Sequence, residues 1–350
     1  MTHEYLLLFT RQLATLVSAG VPLLQALQTI AEGIQHPPSK AQVVQLQQQI
    51  AQGQSLHQAL ENSAQFDRFY CQLIAAGEIS GQLDDMLERL VLHLNRQHQL
   101  RKTVRGALVY PLSVLLIAVL VVAVILIWVV PVFQSIFASF GAELPLATQL
   151  VLRLSDGFAR WGWLWLLGSA VLFFLLRQIH RRNASFQMFW SFRQLNWPIL
   201  GALQRLANLA IWTRCMSTLV RAGVPLLDSL AVTAGVCPNH WFGLASVRIS
   251  HAVTRGQTMA WAVQDLSNNP LFPKDLFPVV LMQMIRIGEE SGALSNLLER
   301  AAIDHEQSLE HQVQTMTQLI EPLMVVLLGG LVGGLVVALY LPVFQLGQVL

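Results

Sequence analysis

One short stretch that occurs twice constrains the fold of this chain more than any other feature. Residues 10–24 read TRQLATLVSAGVPLL and residues 213–227 read TRCMSTLVRAGVPLL, so eleven of fifteen positions are identical at a separation of 203. Self-similarity of this kind indicates that one structural module is present in two copies. Any architecture for the chain must therefore contain the same unit twice.

The composition is typical of a membrane protein. Hydrophobic residues make up 54% of the 350 residues and charged residues only 12%, and the mean hydropathy is +0.50. Such a chain is too apolar for an ordinary water-soluble protein. The net charge of +2 is too small to indicate nucleic-acid binding, so we expect no nucleic-acid partner.

Each copy has the apolar pattern of a helical bundle. Leu6, Phe9 and Leu13 recur at helical spacing, and similar stripes continue through about six helices in each copy without a strand signal. We therefore predict an all-α fold with two repeated helical bundles.

A tight corner between the first two helices of each copy is predicted by glycine and proline. Gly20 and Pro22 stand at this corner in the first copy, and Gly223 and Pro225 stand there in the second. Glycine closes the C-terminus of a helix readily, and proline suits the first turn of the next helix. These four residues are therefore predicted to be structural.

Two pairs of duplicated charged residues are candidate partner contacts. Arg11 and Arg214 flank the corners and could present a face to a partner. Glu78 and Glu289 each follow a glycine and precede a Ser-Gly pair. One interpretation of this second motif is a turn in which the serine caps the next helix. The other is that the two glutamates contact a basic surface of a partner.

The spacing between the copies changes once along the chain. It is 203 as far as Gly256 and 211 from Gly288 onward, so the second copy contains eight extra residues near Ser267–Lys274. This stretch is rich in asparagine and proline, which favour turns. We predict an inserted loop there.

Apolar runs follow both modules. Residues 112–130 and 323–341 are nineteen residues each and carry no charge, which is enough for a helix to cross about 30 Å of hydrocarbon. Two parallel units need a return span, which 158–176 can supply with tryptophans at its start. Arginines cluster before the first span and after the second, so the bundles and the N-terminus should be cytoplasmic and the C-terminus should lie on the other side of the membrane.

The third predicted span contains four glycines and an acidic residue at its cytoplasmic end. Gly329, Gly330, Gly333 and Gly334 form two overlapping GxxxG patterns, which let helix backbones approach closely in lipid. They could pack within this chain, mediate self-assembly, or dock the transmembrane helix of another protein. Glu321 could be functional, as ionisable groups near membranes often are, or could extend its carboxylate to the headgroups.

Catalytic chemistry is not indicated anywhere in the sequence. The chain has no nucleophile motif, no HExxH pattern and no metal-ligand spacing among its three cysteines. We expect the ten histidines to be solvated and the cysteines to be reduced packing residues. The prediction is a protein that is not an enzyme and holds no cofactor or metal.

Several of these motifs together resemble one known family. They are the AGVPL corners, the GE-x-SG-x-L turns, the Tyr110-Pro111 and Glu321-Pro322 entries to the spans, the P-V-F exits after them, and Glu143-Leu144-Pro145 with Thr148. In this combination the chain resembles the bacterial type II secretion protein F family, which includes inner-membrane platform proteins of type IV pilus assembly. The resemblance covers essentially the whole chain.

The resemblance implies a polytopic platform protein and a set of partners. Its cytoplasmic domains would contact a hexameric assembly ATPase, and the platform would pass the motion of the ATPase on to pilin or pseudopilin subunits. Other inner-membrane components of the machine would also bind it, and we expect a homo-oligomer. Many members of the family carry several dozen residues before the first module, which begins here near Tyr5, so the resemblance does not carry over any contact made by that extension.

The complete prediction divides the chain into seven segments. They are a first cytoplasmic bundle at 1–106, transmembrane helix 1 at 112–130, a periplasmic loop at 131–157, transmembrane helix 2 at 158–176, a second cytoplasmic bundle at 200–318, transmembrane helix 3 at 323–341 and a short periplasmic tail at 342–350. The competing function is a small transporter built from parallel repeats. Carriers usually have polar or broken helices at the midplane, and the first and third spans show neither charge nor internal proline.

Overall fold

The computed structural model is helical throughout the part of the chain that it describes. It describes residues 3–63, 65–129, 131–132, 167–168, 171–172, 174–175, 178, 184–197 and 200–346. No strand occurs among these residues, which confirms the all-α prediction for them.

Six helices make up the first part of the chain. They are α1 (His3–Ser18), α2 (Leu23–Gly33), α3 (Pro37–Ala51), α4 (Leu56–Glu61), α5 (Arg68–Ser80) and α6 (Leu83–Val124), and a π-helical turn at Ile125–Val129 follows. The helix α6 is long because it continues through Pro111 into the first apolar run.

Seven further helices follow in the described second part. They are α7 (Ala184–Leu195), α8 (Leu200–Arg221), α9 (Leu226–Val236), α10 (His240–Thr254), α11 (Met259–Asn268), α12 (Val279–Ser291) and α13 (Leu294–Leu346). Like α6, α13 passes without a break from a polar segment into an apolar one.

Local capping explains where several helices begin and end. Asp67 accepts a hydrogen bond from the backbone N–H of Tyr70 at 2.8 Å and so caps α5. Gly20 and Gly223 at the two corners have φ of 78° and 79°, the left-handed region that glycine enters without a steric penalty. The following helices begin immediately after Pro22 and Pro225.

The first compact unit contains both sets of shorter helices. It comprises Met1–Lys102 and Gln187–Gln312. Its first apolar cluster is formed mainly by α1 to α6 but also includes Cys215, Leu219, Val224 and Val232 from the second part of the chain. Because α5 packs against α8 and α9, the two parts share a core. A second cluster, centred on Trp212, Phe242 and Phe277, lies among α7 to α13.

The second unit comprises Thr103–Phe186 and Val313–Leu350. Among the described residues, two helical segments are long and apolar enough to cross a membrane, Val109–Val129 and Leu294–Gly334. Most of the predicted return span 158–176 and loop 131–157 lies outside the described residues, including Glu143, Leu144, Pro145 and Thr148, and so do residues 347–350 of the predicted tail.

Candidate functional site

A polar cavity lies within the first unit, between α6 on one side and α8 and α13 on the other. Its volume is about 330 Å³. The charged residues that line it are Asp85, Glu88, Arg89, Arg96, Arg214, Arg221 and Glu299. Four guanidinium groups therefore stand beside three carboxylates, and the lining is close to neutral.

Arg214 is the most buried of these arginines. Its side chain is only 8% exposed and forms a bidentate salt bridge with Glu306. Nε donates to Oε1 at 2.8 Å, and Nη2 donates to Oε2 at 2.7 Å. Its Nη1 also lies 3.9 Å from Oε1 of Glu299. In a bidentate pair of this kind, two well-aligned hydrogen bonds and the attraction between the charges together offset the cost of burying the guanidinium group.

Arg11, the counterpart of Arg214 in the first copy, lies in a different environment. It is exposed, and its Nη2 donates to Oδ1 of Asn95 at 2.8 Å. Asn95 and Glu306 correspond at the spacing of 211, just as Arg11 and Arg214 correspond at 203. The same pair of positions thus makes an exposed neutral contact in one copy and a buried ion pair in the other.

The remaining cavity charges are also largely paired. Arg221 bonds to Glu299 and donates to Oδ1 of Asn296 at 3.1 Å, and Arg89 bonds to Asp85 one turn away on α6 at 2.9 Å. Since these guanidinium groups already have carboxylate partners, the arrangement is suited to holding helices together. It offers no nucleophile with an adjacent base.

His93 lines the same cavity and corrects the expectation that the histidines are solvated. It is 6% exposed, its ring lies 4.3 Å from that of Phe69, and its Nδ1 has no hydrogen-bond partner. The reason is its position three residues after the buried Leu90, which places it on the inner face of α6. Burial, with smaller contributions from Arg214 and Arg96, lowers the pKa of His93 to about 3.

We expect the chain to lose stability as the pH falls below about 6.5, because of His93. The unfolded imidazole takes up a proton there, whereas the folded one stays neutral until about pH 3. Each pH unit in this window should cost roughly 1 kcal/mol of unfolding free energy. Urea unfolding in detergent at pH 7 and pH 5 measures it. His93→Gln should flatten the dependence, the exposed His251→Gln should not, and an unchanged slope in His93→Gln would contradict this role.

The duplicated glutamates occupy equivalent places at the starts of two short helices. Glu78 accepts hydrogen bonds from the backbone N–H groups of Leu56 and His57 at 2.6 and 3.0 Å, and its Oε2 lies 2.6 Å from Nδ1 of His57. Glu289 accepts those of Met259 and Ala260 at 2.6 and 2.8 Å. Each carboxylate therefore satisfies the unpaired amides of a helix N-terminus and complements its dipole.

The serines of this motif do not cap the next helix, contrary to the expectation from sequence. Ser80 Oγ donates back to the carbonyl of Ala76 at 2.7 Å, and Ser291 Oγ to that of Ile287 at 2.6 Å. Both serines are the last residues of their helices, and the glycines that follow have φ of 70°. The turn is therefore closed by glycine in the left-handed region.

The glycines of the third predicted span lie on an open face of α13. At Gly329, Gly330, Gly333 and Gly334 a β-carbon would meet no described atom within 4 Å. Glu321 is exposed on the same helix. Within the described part of the chain, this face is free for another helix to approach.

The cavity and the Glu306 partner were not identified from the sequence. The two repeat spacings relate these positions, because Arg11 corresponds to Arg214 at 203 and Asn95 corresponds to Glu306 at 211. What the sequence does not contain is the contact of α5 with α8 and α9. That contact brings the second copy beside α6 and forms the cavity.

Comparison with known proteins gives consistent matches over nearly the whole chain. The family model for type II secretion system protein F matches twice, at residues 9–131 and 212–342. The type IV pilus assembly protein PilC of Pseudomonas aeruginosa is 38% identical over 343 residues, which is 98% of this chain and 90% of the relative. The type II secretion system protein F of Vibrio cholerae is 30% identical over 346 residues, 99% of this chain and 83% of the relative.

A relative from a thermophile matches over a similar length. The type IV pilus assembly protein PilC of Thermus thermophilus is 31% identical over 341 residues, 97% of this chain and 82% of the relative. The matched segments begin within the helix that precedes the corner of each copy and end at the exit of an apolar run. The chain belongs to the type II secretion system protein F family.

Proposed function

We propose that the chain is an inner-membrane platform protein of a type IV pilus or type II secretion machine. It couples a cytoplasmic assembly ATPase to the assembly of pilin or pseudopilin subunits. The observation that carries this proposal is the double match to the protein F family, together with relatives named for type IV pilus assembly and type II secretion. The proposed chain has two repeated cytoplasmic bundles and three spans, with its N-terminus in the cytoplasm.

The shared core supports a mechanical role. Cys215, Leu219, Val224 and Val232 of the second part complete an apolar cluster of the first, so both parts should respond as one body to a force on either. Well-packed protein interiors have low compressibility and transmit displacement. A body that receives motion from an ATPase requires this property.

The open glycine face of α13 is the proposed docking site for a pilin or pseudopilin helix. Small residues allow close approach of helix backbones, and association in lipid depends on such packing. Gly329 and Gly333 lie one turn apart with no described atom over them. Self-assembly through the same face would give the homo-oligomer that the family resemblance implies.

Of the candidate cytoplasmic contacts, Arg11 is the best placed to meet the ATPase. It is exposed, whereas the carboxylates of Glu78 and Glu289 are bonded to backbone amides and Arg214 is bonded to Glu306. We therefore propose that Arg11 contributes to the ATPase contact and that the other three residues support it through the fold.

Co-purification tests the proposal. We expect the full chain, extracted in mild detergent from its own cells, to retain a hexameric assembly ATPase, and Arg11→Glu to reduce the retained amount severalfold at unchanged protein level. Arg68→Glu, a charge reversal at another exposed position of the same unit, is the matched control. Absence of an interaction in detergent, combined with normal pili and secretion in a deletion strain, would refute the platform role.

A further inference from the structure

A large groove on the second copy has a chemical character different from that of the polar cavity. Its volume is about 880 Å³, and it is lined by Met188, Trp241, Leu244, Val247, Arg248, His251, Thr254, Arg255, Leu271 and Phe272. None of these described lining residues is acidic. The groove is therefore apolar and basic at the same time, and all of it lies within the first compact unit.

The floor of the groove is built by aromatic packing. Trp241 contacts Phe192 of α7 at 5.9 Å and Phe272 at 5.6 Å between ring centroids, and its Nε1 donates to the carbonyl of Met188 at 3.3 Å. The guanidinium carbon of Arg248 stands 6.0 Å from the ring centre of Phe272. One charge is thus held over an aromatic surface, an arrangement that positions it without a carboxylate.

The basic residues of the groove occur in only one of the two copies, although the helix that carries them is duplicated. The helix α10 corresponds to α3 at the spacing of 203, and Arg248, His251 and Arg255 replace three glutamines, Gln45, Gln48 and Gln52. All six side chains are exposed. The fold does not need the positive charges, because the first copy has the same helix without them.

The apolar wall comes from the inserted loop and from α7. Leu271 lies in the eight-residue insertion of the second copy and is 72% exposed. On α7, Phe189, Trp190 and Phe192 are also exposed, and this helix follows shortly after the predicted second span. Exposed tryptophan and phenylalanine next to basic residues are typical of helices that lie in the interface of a membrane.

From this combination we infer that the groove and α7 form a binding surface for anionic phospholipid of the cytoplasmic leaflet. Arg248 and Arg255 bind the phosphate headgroup, and the apolar wall of Leu271 with the exposed rings of α7 enters the boundary between headgroups and acyl chains. Charge complementarity selects this occupant, since the cytoplasmic leaflet is negative and attracts basic segments near a span. An acidic surface of a soluble protein would satisfy the arginines but would leave Leu271 and Phe189 in water.

A fluorescence experiment in nanodiscs tests this inference on the full chain. An environment-sensitive dye is attached at Leu271→Cys, and at Ile79→Cys, an apolar position of the first copy that is exposed still further, at 86%. Burial raises the pKa of Cys71 and Cys237 to about 12 and raises that of Cys215 still further, which slows their reaction with the dye. Labelling of the chain that carries neither added cysteine measures the background from these three thiols. Discs of phosphatidylcholine alone are compared with discs that also contain phosphatidylglycerol.

We expect the dye at position 271 to shift to shorter wavelength and to gain about twofold in intensity when phosphatidylglycerol is present, while the dye at position 79 does not change. Arg248→Gln with Arg255→Gln, which installs the residues of the first copy, should abolish the effect of phosphatidylglycerol. The reverse change, Gln45→Arg with Gln52→Arg, should leave it intact.

Two results would overturn the inference. One is the same emission at position 271 in both kinds of disc. The other is a change at position 271 that requires an added soluble protein of the machine, which would assign the groove to an acidic protein surface. The inference rests on the proposed membrane placement, and incorporation of the chain into the discs is measured separately. A chain that does not incorporate contradicts the proposed function, whereas an incorporated chain with an insensitive dye contradicts only the lipid surface.

Discussion

Replacing Glu306 with glutamine should lower the free energy of unfolding by about 3 kcal/mol. Glu306 is 17% exposed and bonds through both carboxylate oxygens to Arg214, which is 8% exposed. Its loss leaves a buried guanidinium with Glu299, 3.9 Å away, as its remaining carboxylate partner. The measurement is a guanidinium chloride titration of the full chain in detergent, followed by tryptophan fluorescence.

The first copy supplies the matched control for this prediction. Asn95→Ala removes the equivalent partner from the exposed Arg11 and should change stability by no more than about 0.5 kcal/mol. The double variant Arg214→Met with Glu306→Gln should recover most of the loss, because it removes both charges. A double variant as unstable as Glu306→Gln alone would show that the loss came from packing and not from the unpaired charge.

Adding one methyl group at Gly288 should also be costly, by about 2 kcal/mol. Gly288 is buried in α12, and a β-carbon there would lie 2.8 Å from the Cα of Leu294 in the first turn of α13. Because that neighbour is backbone, the start of α13 must move to admit Gly288→Ala. The midpoint of thermal unfolding in detergent measures the effect.

Substitutions at two other glycines distinguish the effect of this close contact from the general gain in helix propensity when glycine becomes alanine. Gly235→Ala adds a methyl group in α9 where no described atom lies within 4 Å, and should be neutral or stabilising by up to about 1 kcal/mol. At Gly77, the first-copy equivalent, a β-carbon would lie 2.9 Å from the side chain of Met86, which can partly move away, and 3.1 Å from the Cα of Leu83. Because that backbone contact is longer than the one at Gly288, the cost of Gly77→Ala should be smaller. If Gly288→Ala and Gly235→Ala had the same midpoint of thermal unfolding, close packing of α12 against α13 would not be the reason for glycine at position 288.

The helices could be predicted from the sequence because their signals are local. The stripe of Leu6, Phe9 and Leu13 predicted α1, and the glycines at the corners predicted the left-handed turns that Gly20 and Gly223 make. Among the described residues, the two long apolar helical segments overlap the apolar runs 112–130 and 323–341, and their passage through a membrane stays a prediction. Each of these features depends on residues within a few turns of one another.

The roles of the charged residues were less accessible to sequence reasoning. Glu78 accepts hydrogen bonds from the backbone amides of Leu56 and His57, which are distant from it in sequence. Its motif therefore indicated a turn without revealing the helix that it caps. His93 was expected to be solvated, and its burial depends on packing against Phe69 and on the approach of Arg214 from the second copy. Such outcomes depend on contacts between distant parts of the chain.

The sequence by itself determined that the chain is helical, duplicated and apolar enough for a membrane, since periodicity, self-similarity and composition are properties of the chain alone. The tertiary structure decided how the copies differ. Packing of α5 against α8 and α9 completes a shared core and leaves Arg214 buried with Glu306, while Arg11 stays exposed beside Asn95. A repeat transmits the same local fold to both copies, but the burial of an equivalent residue depends on its neighbours, which the repeat does not duplicate.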